Sequence, residues 1–90
     1  MSDTNLLIGS LSNDLLRLAT FTHNGSPSAR RFLTEAKRWA LPLQTADLPP
    51  HIKQIVEDIS AAPPTLTTLA QAERYLMYSV LLQNYALHNK

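Results

Sequence analysis

Apolar residues in this chain recur at intervals of three and four rather than two, and six prolines and two glycines cut that recurrence into segments. Helices are the natural reading. The spacing predicts an all-α, compact four-helix domain, with helices over about residues 4–22, 27–40, 50–60 and 69–87 and a Pro-rich connection between the second and third. Ninety residues suffice for one domain with one core, and no internal repeat or second domain is visible.

In the first segment Ile8, Leu11, Leu15 and Leu18 fall on one stripe, widened by Leu7 and Ala19. Gly9 weakens its first turn, which predicts a firm helix only from near Ser10 or Ser12. Asn24 or Gly25 supplies a left-handed C-cap. Ser26 then reads as an N-cap with Pro27 at the first helical position. Pro42 is expected to stop the second helix, and Pro49 and Pro50 to delay the third, leaving a semi-rigid linker. The third helix buries Ile52, Ile55, Val56 and Ile59 opposite Lys53, Glu57 and Asp58. A last break at "SAAPPTLTT" is followed by Thr68 and Gln71, a capping-box pair.

The stretch "SARRFLTEAKRW" holds four of the eight basic residues beside the only tryptophan. At about 100° per residue, Ala29, Phe32, Leu33, Ala36, Trp39 and Ala40 share one arc, and Arg30, Arg31, Lys37 and Arg38 lie on the other side. Glu35 sits within reach of Arg31 and Arg38, so the pattern is that of an amphipathic helix with a solvated basic face and Trp39 in the core. The alternative use of Arg30, Arg31, Lys37 and Arg38 is contact with an anion or with nucleic-acid phosphates. A net charge of +1 supplies no global field for such binding. Helices one and two also fail the helix-turn-helix pattern: with Gly25 as the turn glycine, Phe21 stands where a small residue belongs, and they read as an αα-hairpin.

Helix four carries more apolar surface than one stripe. Leu69, Ala72, Leu76, Val80 and Leu87 form one face, and Tyr75, Tyr78, Leu82 and Tyr85 form another roughly 150° away. Such a helix is either central in its own domain or packs inward on one side and against another chain on the other. A tyrosine-rich stripe combines large contact area with polar tips, so Tyr75, Tyr78, Leu82 and Tyr85 are the expected partner-binding residues, with a homodimer the first assembly to consider.

Catalytic and metal-binding patterns are missing. His23, His51 and His88 have no second ligand at metal spacing, two glycines build neither a phosphate loop nor a nucleophile elbow, and Glu57 and Asp58 point to different sides of a helix. With no cysteine there is no disulfide, thiolate site or cysteine nucleophile. No segment approaches the roughly 20 apolar residues of a membrane span, and the opening residues lack a basic secretory n-region. The expectation is a cytoplasmic, non-enzymatic interaction or regulatory domain, with no cofactor and no membrane partner. It binds a protein, itself included, and a small nucleic-acid-binding regulator is the alternative.

Overall fold

The computed structural model describes residues 3–62 and 68–88, so the expected break at Pro63 and Pro64 lies outside the described residues. Among the described residues four helices account for the fold: α1 (Asp3–His23), α2 (Ala29–Leu43), α3 (Pro50–Ala61) and α4 (Leu69–His88). Helix α1 packs along both α2 and α4, α3 packs on α2, and a lighter α3–α4 contact closes the ring.

Helix α1 is organised by Ile8, Leu11, Leu15 and Leu18, all fully buried. Burial of such side chains stabilises by about 1.5–3 kcal/mol each. The helix runs through Gly9 from Asp3, which corrects the later start expected from that glycine. Ser12 is not a cap but a buried contact: its hydroxyl donates to the Ser79 carbonyl oxygen at 2.7 Å. At its other end the Gly25 amide donates to the Thr22 carbonyl oxygen at 3.0 Å and the Ser26 amide to that of Phe21 at 2.9 Å. This is a Schellman closure, and it requires the left-handed φ of 71° at Gly25.

The turn into α2 tightens around Ser26, whose hydroxyl accepts the Ser28 amide at 3.2 Å. Pro27 therefore belongs to a preliminary turn, and regular helix starts at Ala29. Ala29, Leu33, Ala36, Ala40 and Leu43 are its buried positions. Pro42 does not end the helix, contrary to expectation. The missing N–H forfeits one hydrogen bond in the last turn, while Leu43, fully buried, holds the backbone helical one residue further. The Phe21 and Phe32 rings stack across α1 and α2 with centroids 5.2 Å apart. Trp39, expected in the core, lies at the rim of the apolar arc and is 38% exposed.

In α3, Pro50 occupies the first turn and Ile52, Ile55, Val56 and Ile59 are buried as expected. Helix α4 opens with the expected capping box. The Gln71 amide donates to the Thr68 hydroxyl at 3.2 Å, and the Thr68 amide donates to Gln71 Oε1 at 2.8 Å.

The α1–α4 contact is antiparallel and made of small residues. Ser12 meets Ser79, and seven residues along in opposite directions Ala19 and Ala72 line one groove. The same register sets Asn5 against Ala86. With small side chains at every seventh position the backbones can approach closely, so bulk at this seam is costly. Ser12→Leu is expected to destabilise by about 1–3 kcal/mol, the range for overpacking. Ser12→Ala, which loses one buried hydrogen bond, costs about 1 kcal/mol. Urea denaturation followed by circular dichroism measures both. Equal stability of Ser12→Leu and wild type would contradict the seam.

Candidate functional site

The small-residue seam fixes the rotation of α4. Ala72, Tyr75, Ser79 and Leu82 are buried, and Tyr78 and Tyr85 are half-buried against the core. The expected partner-binding set Tyr75, Tyr78, Leu82 and Tyr85 therefore faces inward, which corrects its placement on an outer surface. Tyr78 is a structural cross-brace. Its hydroxyl donates to Asp58 Oδ2 of α3 at 2.5 Å, and Gln54 Nε2 donates to Asp58 Oδ1 at 3.2 Å. Burial first, then the hydrogen bond to Asp58, pushes the Tyr78 hydroxyl up to about 12. Burial and the Asp58 charge raise Tyr75 as well, with Arg74 opposing.

Tyr78→Phe should cost about 1–2 kcal/mol at neutral pH, because it removes a bond to a charged acceptor. The folded state keeps the Tyr78 proton that the unfolded chain releases near 10.0, so this contribution is present below pH 10 and is lost as pH rises toward about 12. Thermal melts from pH 8 to pH 12 should show that loss in wild type and not in the Phe variant. Parallel melting curves would contradict the brace.

With the tyrosines turned in, the second apolar face of α4 is left in solvent. Leu69 is 60% exposed, Leu76 45%, Val80 52% and Leu87 59%, with Met77 and Leu81 beside them. Across the seam Leu16 of α1 is exposed too. Large side chains gathered this way on one side differ from the scattered exposed leucines of ordinary surfaces. Where the C-terminal half of α1 meets the start of α4, a shallow groove of about 430 Å³ runs between Ala19, Thr20, His23, Leu69, Ala72 and Leu76. A second hollow of about 260 Å³ lies over α2, between Leu7, Glu35, Arg38, Trp39 and Pro42.

The basic residues of α2 divide by burial, with Lys37 the half-buried one. Arg30, Arg31 and Arg38 are exposed. The Lys37 ammonium donates to the Ala62 carbonyl oxygen at the end of α3, where a cation also complements the helix dipole. Lys37 thus ties α2 to α3.

One polar group had no signal in the spacing: Asp14, buried between α1 and α2 with Oδ2 unpartnered. Burial, then the Glu35 carboxylate, raises its pKa above 3.8, against the Trp39 side chain and the Arg17 guanidinium 3.6 Å away. Its charged form is disfavoured in the folded state, so Asp14 lowers stability at neutral pH and regains it as pH falls through the folded pKa. Asp14→Asn should therefore be the more stable protein at pH 7, by an amount on the order of 1 kcal/mol. That advantage should shrink toward pH 4 in urea titrations. A variant less stable than wild type at pH 7 would contradict this reading.

Among the described residues no group of His, Asp or Glu side chains is placed to hold a metal ion, and no helix is long and apolar enough to cross a membrane. Comparison of the chain with protein-family models, curated proteins and solved structures yields no match.

Proposed function

We propose that the chain is a non-enzymatic, cytoplasmic interaction or regulatory domain that binds protein through the outward face of α4. The observation that supports this reading is the row of exposed leucine, valine and methionine side chains on a helix whose other face is already packed. A surface helix needs one apolar stripe to dock on its own domain. A second one is surplus to folding, and large exposed apolar patches mark interaction surfaces. Leu76 and Val80 lie at the middle of the row, where contact residues carry most binding energy.

Replacing Leu76 and Val80 by Glu is expected to leave the fold within about 0.5 kcal/mol of wild type, as for exposed positions generally. Binding should weaken by about 2–4 kcal/mol, or roughly 30- to 1000-fold. The check is co-purification of associated proteins, at two salt concentrations, with wild type, with Leu76→Glu/Val80→Glu and with Arg30→Glu/Arg38→Glu. Proteins lost only with the α4 variant support the reading. Salt-sensitive nucleic acid lost only with the α2 variant would contradict it.

A further inference from the structure

The exposed face of α4 has an internal symmetry. Leu69, Glu73, Leu76, Val80, Gln83 and Leu87 follow a 4-3-4-3-4 spacing, the seam pattern of a coiled coil, and all six are exposed. They are also arranged evenly about position 78: 69 mirrors 87, 73 mirrors 83 and 76 mirrors 80. An isologous two-fold contact demands this relation, since each residue i must meet j while j meets i. We infer that the face is filled by a second copy of this chain, its α4 lying antiparallel across the first in the register that centres both helices on position 78. The inference rests on the proposed role of this face as a binding surface and names its occupant.

In that register Leu76 meets Val80 of the second copy at the centre, and Leu69 meets Leu87 at each end. Between them the Glu73 carboxylate faces the Gln83 amide, a neutral donor for a charged acceptor. Charge disfavours the alternatives. A parallel pair would set Glu73 against Glu73, like charge on like. Sliding one helix by seven residues sets Glu73 against Leu76 in one direction and, in the other, sets Val80 against Gln83 in place of Leu76. The two-fold axis also keeps both copies of α1 on one flank, so the exposed Leu16 joins the same interface.

The absence of native cysteine makes the register directly readable. Glu73→Cys and Gln83→Cys chains are prepared separately, then mixed and oxidised. Facing positions can approach the distance of about 4.4–6.8 Å that a disulfide requires. Position 73 and its own symmetry mate are ten residues apart along the pair, about 15 Å. The expected result is a covalent dimer in the mixture and none from either variant alone, with sedimentation equilibrium of wild type showing a dimer that Leu76→Glu/Val80→Glu converts to monomer. A covalent dimer from Glu73→Cys alone would overturn the antiparallel register. Wild type monomeric from micromolar to millimolar concentration would overturn self-pairing while leaving the face open to a different protein. A dimer that survives Leu76→Glu/Val80→Glu would contradict both the pairing and the proposed binding face.

Discussion

The contact on which the rest of the structure depends is the seam between α1 and α4, where Ser12 meets Ser79 and small residues recur at sevens on both helices. A buried hydroxyl without a partner costs stability. Ser12 finds one in the Ser79 carbonyl oxygen, and the Ser79 hydroxyl turns back to the Leu76 carbonyl oxygen at 2.7 Å. Both polar side chains are thereby satisfied inside the contact. Because neither carries bulk, α4 lies against α1 along its small stripe and not along its leucine stripe.

The consequences run outward from that choice. Tyr75 and Leu82 stand next to the small stripe and are drawn into the core, and Tyr78 reaches α3 through Asp58. Helix α3 is joined to α2 by its buried isoleucines and by Lys37 at its C-terminus. The ring of four helices closes with the leucines of α4 outside it. The proposed binding face thus follows from how the core is packed, and its symmetry about position 78 is carried by the same helix that holds the fold together.

Much of this was legible in the sequence. The stripes of α1 and α3, the glycine closure at Gly25 and the capping box at Thr68 and Gln71 each have a local cause, and local causes leave local patterns. The errors lie where tertiary packing overrides a local rule. Pro42 reads as a stop, yet burial of Leu43 carries α2 past it. Trp39 sits at the edge of the apolar arc, where angle alone does not decide burial. Helix α4 carries two large apolar stripes, and apolar area alone favours the aromatic one for an interface. The deciding signal was the weaker-looking one, the spacing of Ser12 with Ala19 and of Ala72 with Ser79 and Ala86, which marks the close contact without contributing much apolar area. Asp14 left no trace in the pattern, since its burial comes from α2 lying over it.

The rotation of α4 on this seam is the central claim, and a nuclear Overhauser spectrum of the methyl-labelled chain tests it most directly. The account predicts cross-peaks between the Ala19 and Ala72 methyls and between the Tyr75 ring and core methyls, with none linking Leu76 or Val80 to Leu15 or Leu18. Cross-peaks from Leu76 and Val80 to Leu15 and Leu18, with Tyr75 and Leu82 free of core contacts, would contradict it.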